Sequence, residues 1–313
     1  MSEDSSISQY NQSFIQGKDL PIFLWPKWLE TVTPKAELHF LHASNDADKT
    51  VHLPVRKTKK YGLSILSLPA LTPFTGLLFS KNCLQEEKLS LMKKLLENID
   101  THLCQLSFDK SFDFADLFIS NDFRANYKIS YQIDTSLSEE QLLANLKSNV
   151  RNRVNSLMSN FEFKFHDSTE EFNHLNQLTY KRQGLALPYS KELITHLHQA
   201  FNSSSNSHIL IAKDHSGNAH AGLFLVNDSS TMYCLAIGSN PSYKSQHAIS
   251  LLIWKAILFA RENALIFDFE GSSIERVESF FRSFGGKQTR LQQLTRVSNP
   301  YLDFALKRFY KIS

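Results

Sequence analysis

The 313-residue chain has only three cysteines, Cys83, Cys104 and Cys234, and none lies close to another. An odd count without close pairs argues against a disulfide scaffold and fits a reducing compartment. There is no Cys-x-x-Cys and no His-x-x-x-His pair, so spacing suggests no metal site. Charge of one sign is also lacking. The formal net charge is +3, too small by itself to argue for nucleic acid, while still compatible with a local basic patch. Long hydrophobic runs are missing too. The longest, AISLLIWKAILFA (248–260), has 13 residues and contains a lysine, whereas a membrane helix needs about 20. The first residues, MSEDSSISQY, are polar and acidic, unlike a signal peptide. These absences lead us to expect a cytoplasmic protein that is not embedded in a membrane. What is present suits a globular chain: 42% hydrophobic and 21% charged residues, at a length of one large or two ordinary domains.

Residues 1–18 are polar and expected to be loose. DLPIFLWPKWLETV (19–32) reads as apolar with a short helix. AELHFLHA, KTVHLPVRKT and YGLSILSLPAL read as strands. In 86–102, Leu89, Met92, Leu95, Leu96 and Ile99 share a helical face. LCQLSFD and NYKISYQID (126–134) are further strands. The second half opens with a helix over 136–160, where Ser136 and Glu139 have capping-box spacing and Leu143, Leu146, Val150, Val154 and Leu157 form a stripe. Helices at 169–183 and 190–202 follow. HILIAK, AHAGLFLVN and TMYCLAIG are strands joined by short links, hence antiparallel neighbours. The helix at 245–263 is apolar nearly all round and is expected to be buried. ALIFDF is then a strand in the same sheet.

The stretch ALIFDFEGSSIERVESFFRSFGGKQ (264–288) places two carboxylates where a buried strand ends and a helix starts. Ser272 and Glu275 have capping-box spacing. Ile274, Val277, Phe280, Phe281 and Phe284 fall on one face, and Gly285 sits where a left-handed C-terminal cap belongs. KQTRLQQLTRV closes as a strand. Residues 61–108 and 230–269 share a plan of strand, polar link, helix and strand, which suggests a duplicated domain without residue-level repeats.

Three pieces in this order resemble the GNAT superfamily of acyltransferases, in its double-domain, Fem-like (FemAB-like) branch. They are SEEQLLANLKSNVRNRVNSL, MYCLAIGSNPSYKSQHAISLLIWKAILFAREN and FDFEGSSIERVESFFRSFGGK. The resemblance covers most of the second half and only the outline of the first. It implies an α/β fold of two GNAT-like domains, each a mixed sheet flanked by helices, the first degenerate. The expected bounds are 19–125 and 126–297, with the tail 298–313 returning to the first domain. The chain also departs from the family. Before the long helix, KSQHAIS replaces the glycine-rich loop that approaches a pyrophosphate at a helix N-terminus. Phe281 stands where many relatives have a proton-donating tyrosine.

The expected activity is acyl transfer to an amine. Asp268 and Glu270, one residue apart on a strand, are expected to share a face and to supply the general base; the plain alternative is a loop cap or an arginine partner. The resemblance places the donor against the backbone of Ala236, Ile237 and Gly238 and the turn of Tyr243, Lys244, Gln246, His247 and Ala248. Lys147, Arg151 and Arg153 are phosphate candidates, with 147 and 151 on one face and 153 pointing elsewhere; a solvated helix face is the alternative. Tyr180, Arg182 and Gln183, ahead of the loop GLALPYS (184–190), and Tyr233 are candidates for the acceptor site, and Arg151 is grouped with them. Cys234 reads as buried structure. The donor is acyl-coenzyme A (acetyl-CoA the simplest) or an aminoacyl-tRNA, the former preferred because no strong basic surface is evident. The acceptor is a small-molecule or cell-wall-precursor amine. A binding or scaffold protein that kept the fold is the alternative from another class.

Overall fold

The computed structural model describes residues 10–11, 20–166 and 168–304, with the side chains of 244–246 outside that description. The expected loose segment 1–18 lies almost wholly outside the described residues, as does the tail beyond 304. The chain divides into two compact units, one formed by Met1–Lys128 with Arg290–Ser313 and the other by Ile129–Thr289.

The first unit begins with helix α1 (Pro26–Val32), which has proline at its first position, where the missing N–H costs nothing. Strands β1 (Leu38–Ser44), β2 (Thr50–Lys60) and β3 (Leu63–Ser67) form an antiparallel meander. The two-residue strand β4 (Leu78–Phe79) pairs with β2. Helix α2 (Gln85–Glu97) then crosses over, and β5 (Leu103–Phe108) lies parallel to β3. The apolar stripe Leu91, Met92, Leu95 and Leu96 packs α2 into one core with Val51, Leu53, Val55 and Leu106. Short helix α3 (Ala115–Ile119) adds Phe118 to that core.

Strand β6 (Arg124–Ile133) leads into the second unit. Helices α4 (Glu139–Asn145) and α5 (Ser148–Leu157) precede β7 (Phe161–His166), α6 (Glu170–Arg182) and α7 (Lys191–Phe201). Strands β8 (Ser207–Asp214), β9 (Ala219–Asn227) and β10 (Thr231–Ser239) continue antiparallel from β7. Asx turns close their links: Asp214 accepts from the amides of Ser216 and Asn218, and Asp228 from those of Ser230 and Thr231. The buried helix α8 (Ala248–Glu262) crosses over to β11 (Ile266–Asp268), parallel to β10, and β6 pairs antiparallel on the other side of β11. Helix α9 (Glu275–Arg282) follows. The crossover plan β3–α2–β5 thus recurs as β10–α8–β11, as the sequence pattern suggests.

Three expectations change. The helix over 136–160 is two helices. Leu146 and Lys147 are extended, because Leu146 is drawn into the core and the Lys147 amide donates to the Ser283 carbonyl at 2.9 Å. Its cap is Ser138 with Gln141, while Ser136 bonds Asp134. Helix α9 starts three residues past Ser272, whose hydroxyl accepts the Ile274 amide, and Ile274 is exposed instead of joining the stripe. The closing strand β12 (Lys287–Val297) pairs with β5 from Gln292 to Val297, so residues from Arg290 belong to the first unit and not to the second. In that unit Asp303 pairs with Arg124 at 2.6 Å.

Gly285 ends α9 with φ +78°, and an added Cβ would lie 2.2 Å from the Asn145 carbonyl oxygen. Both the left-handed angle and the contact demand glycine. Gly285→Ala is expected to lower the melting temperature by several degrees, about 2 kcal/mol or more, in a thermal scan. An unchanged midpoint would mean that the contact is relieved at no cost.

Candidate active site

The site grows from one row of side chains. Tyr233 on β10, Asp268 on β11 and Gln132 on β6 are register partners, so they stand side by side on one face of the sheet. Ser130, two residues before Gln132, joins the same face. Asp268 is buried. Its Oδ1 accepts from Ser130 Oγ and from the Glu270 amide, both at 2.7 Å, and its Oδ2 accepts from Gln132 Nε2 at 2.8 Å. The carboxylate therefore ties β11 to β6 and to the following turn.

Strand β11 ends at Asp268. The Phe269 amide bonds the Tyr131 carbonyl, Glu270 and Gly271 both take positive φ (56° and 70°), and the Ser272 amide bonds the Ile129 carbonyl. The chain thus follows β6 and leaves β10. Glu270 is consequently not on a strand, and the expectation that period-two alternation places it beside Asp268 does not hold. The two carboxylates are instead linked through the Glu270 amide. Gly271 is obligatory here, since a Cβ would meet the Ile129 carbonyl oxygen at 2.2 Å.

Beyond Tyr233, β10 has lost its parallel neighbour. A bulge between Cys234 and Ala236 shifts its register. The Asn240 amide bonds the His220 carbonyl, which fixes the alternation: Ala236 and Gly238 pair with β9, whereas Ile237 and Ser239 turn their backbone groups toward the opened side. Helix α6 fills part of that side. Asn176 Nδ2 donates to the Ile237 carbonyl at 3.2 Å, and the Ser239 amide donates to Thr179 Oγ1 at 2.8 Å. Among the described residues no acceptor meets the Ile237 N–H. Gly238 has a packing reason, since a Cβ would lie 2.7 Å from the Asn176 nitrogen.

Loop 184–190 is tied to this opening. The Tyr189 hydroxyl donates to Asn176 Oδ1 at 3.0 Å, and Tyr180 packs edge-on to the Tyr189 ring at 6.4 Å. Burial raises the pKa of both hydroxyls, so both are neutral donors near neutrality. Arg182 is exposed in the last turn of α6, where a cation suits the helix dipole. Tyr233 donates to Asp228 Oδ2 at 3.0 Å. Burial, followed by the Asp228 carboxylate, raises its pKa well above the usual value, so it stays protonated. Cys234 is buried, and burial, then the Glu270 and Asp268 charges, raise the pKa of its thiol.

The turn before α8 is a 3₁₀ segment, Pro241–Gln246. Tyr243 stacks on buried His220 at 4.1 Å, and His220 is held by Asp214 at 3.0 Å. His247 caps α8 in the left-handed conformation (φ 57°), the geometry glycine usually supplies. The His247 ring is exposed, and its pKa is lowered by partial burial and then by the Arg153 guanidinium. The charge of Arg153 thus acts on the His247 ring. Arg151 spends Nη1 on the Ala144 carbonyl at 3.0 Å, closing the break between α4 and α5. Ala248 is buried as the first residue of α8. The side chains of Lys244 and Gln246 lie outside the described residues. Phe281 stacks on Phe269 at 4.7 Å within the core.

Ser130, Gln132, Asp228, Asn176 and Tyr189 were not singled out from sequence. Ser130 and Gln132 did leave a signal, polar residues alternating with apolar ones in KISYQI. The carboxylate they serve is remote in the chain.

A crossover helix that begins beside a strand parting from its parallel neighbour, with carboxylates at the neighbour's end, defines a GNAT-type fold. Residues 144–274 match the acetyltransferase (GNAT) domain family. Residues 144–274 thus form a GNAT-type domain, in a chain of two compact units. The structure is similar to that of FemX (11% identity, 98% of each chain covered, TM-score 0.67). It is also similar to L-PGS from Bacillus licheniformis (8%, 96% of each, 0.56). A tandem GNAT protein from the clavulanic acid biosynthesis pathway covers 96% of this chain and 98% of its own, at 9% identity and TM-score 0.54. At these identities the likeness is one of fold. Comparison with curated protein sequences gave no significant match.

Asp268→Leu leaves the Ser130 and Gln132 side chains and the Glu270 amide without their acceptor. It is expected to cost at least about 3 kcal/mol in chemical denaturation. Asp268→Asn, which Gln132 can answer by flipping its amide, is expected to cost clearly less. Equal costs would show that the network is not what holds this row.

Proposed function

We infer that the protein transfers an acyl group from an acyl-coenzyme A donor to an amine, at the opening between β10 and β11. The observation that carries this reading is the outward Ile237 N–H on an opened strand edge, close in the chain to the N-terminus of α8. An amide held there suits the carbonyl oxygen of a bound acyl group and the negative charge it gains in the transition state. Ala236 and Gly238 support that strand by pairing with β9. The α8 N-terminus, with His247 and Arg153 beside it, suits the donor's phosphates, and Lys244 and Gln246 belong to the same turn. Glu270 is the group we assign to deprotonating the amine, directly or through water. Asp268 is assigned to positioning, because its oxygens hold Ser130, Gln132 and the Glu270 amide. Tyr180, Tyr189 and Tyr233 shape the acceptor side.

A second reading is favoured by one feature. His247 stands in the left-handed cap with a side chain where a glycine loop leaves room for a pyrophosphate. That suits an aminoacyl-tRNA donor and a cell-wall-precursor amine, in line with the fold likeness to FemX.

Calorimetric titration with acetyl-coenzyme A separates the two. Micromolar binding is expected, weakened roughly tenfold each by Lys244→Ala, His247→Ala and Arg153→Ala. No binding to the wild type sinks the coenzyme A reading and makes aminoacyl-tRNA the donor to test. With an accepted amine in hand, Glu270→Gln is expected to lower kcat by about 10²–10⁴ with donor affinity unchanged. A wild-type rate in that variant would remove Glu270 from the chemistry.

A further inference from the structure

The β2–β3 hairpin of the first unit carries a feature that no acyl-transfer chemistry uses. Its last cross-strand pair is Lys60 with Leu63, and Tyr61 and Gly62 form the turn with φ of 51° and 80°. Two positive φ values in a two-residue link make a type I′ turn, which favours Asn-Gly or Gly-Gly. A bulky aromatic in the first position is strained. Nothing in the fold compensates by burying it. Tyr61 is 92% exposed, and its ring is met by the Lys60 ammonium at 5.6 Å. Strain kept at an exposed side chain points outward, to something the ring touches outside the chain.

The tip is also basic. Residues 56–67, RKTKKYGLSILS, contain four cations and no carboxylate. Arg56 is held by Glu37 at 2.7 Å. Lys57, Lys59 and Lys60 are exposed, and among the described residues no carboxylate pairs with them. The last backbone bonds to neighbouring segments are Lys57 N–H to the Glu37 carbonyl and His102 N–H to the Ser64 carbonyl, so among the described residues 58–63 pair only with each other, as a two-stranded finger. Lys57 and Lys59 lie on one face, about 7 Å apart along the strand. The order along the finger is thus an aromatic ring at the end and ammonium groups behind it.

We propose that this hairpin docks the protein on an anionic lipid surface, with the Tyr61 ring at the headgroup level and the lysines against lipid phosphates. Tyrosine favours that level, and lysines set back from the tip reach it with their stems along the apolar boundary. A single ring on a convex finger fits a bilayer better than a nucleic acid strand, which is bound along a groove with successive stacking rings. The binding is weak and salt-sensitive, since it rests on three exposed charges.

The test is flotation of the full chain with phosphatidylcholine vesicles with and without phosphatidylglycerol, repeated in about 0.5 M NaCl. Wild type is expected to float only with the anionic vesicles at low salt. Tyr61→Asn, which suits the turn and is expected to melt no lower than wild type, reduces binding several-fold. K57Q/K59Q/K60Q reduces it by at least about tenfold. Absence of wild-type binding, or binding that neither variant changes, overturns the proposal and leaves the lysines as guards against edge pairing. Short single-stranded RNA that binds through the same residues more tightly than vesicles also overturns it and reassigns the finger to nucleic acid.

Discussion

The parting of β10 from β11 after the Tyr233–Asp268 pair is the constraint on which the site depends. A buried strand edge that loses its neighbour leaves backbone donors and acceptors with neither water nor a strand to meet them, and each orphaned group costs on the order of 1–3 kcal/mol. The second unit answers that demand with side chains. Asn176 takes the Ile237 carbonyl and Thr179 takes the Ser239 amide, both from helix α6, which can come so close only because Gly238 has no side chain. What is left is the Ile237 N–H, turned to the side where β11 has parted, with no acceptor among the described residues.

Asp268 works from the other side of the opening. By accepting from β6 through Ser130 and Gln132 and from the Glu270 amide, it forces the chain to turn into two consecutive left-handed residues. That turn keeps the chain beside β6 and so keeps the opening from closing. Glu270 is held in a conformation unusual for its residue type, and the bonds around it sustain that strain. The network that opens the sheet and the one that sets the carboxylate are therefore the same bonds. Tyr233, tied back to Asp228 at the β9–β10 turn, closes the row at its far end.

Much of the fold was legible because it rests on local physics. Period-two runs in 207–239 gave an antiparallel meander, and the all-round apolar segment at 248–262 became the buried crossover α8. The Gly285 cap follows from its left-handed angle. Where capping and periodicity signals failed, another group had taken the residue, either a near neighbour or a remote one. Ser136 and Ser272 each have capping spacing, yet Asp134 takes Ser136, and Ser272 spends its hydroxyl on a turn before α9. Leu146 has helical periodicity, but the core claims its side chain and the Ser283 carbonyl claims the next amide. Of the basic residues on that segment, Arg151 is spent on the Ala144 carbonyl at the break between α4 and α5, whereas the charge of Arg153 acts on the His247 ring.

The sequence by itself determined the order of elements, the buried crossover helix and the presence of two carboxylates at a strand end, since these follow from hydrophobic periodicity and turn chemistry within a few residues. Only the tertiary structure decided that those carboxylates differ. Which oxygen is bonded and which backbone groups are met are set by β6 and α6, remote in the chain, as the separations of 138 between Ser130 and Asp268 and 61 between Asn176 and Ile237 illustrate. Side-chain alternation ends with the strand, and beyond Asp268 only packed neighbours say where the chain goes.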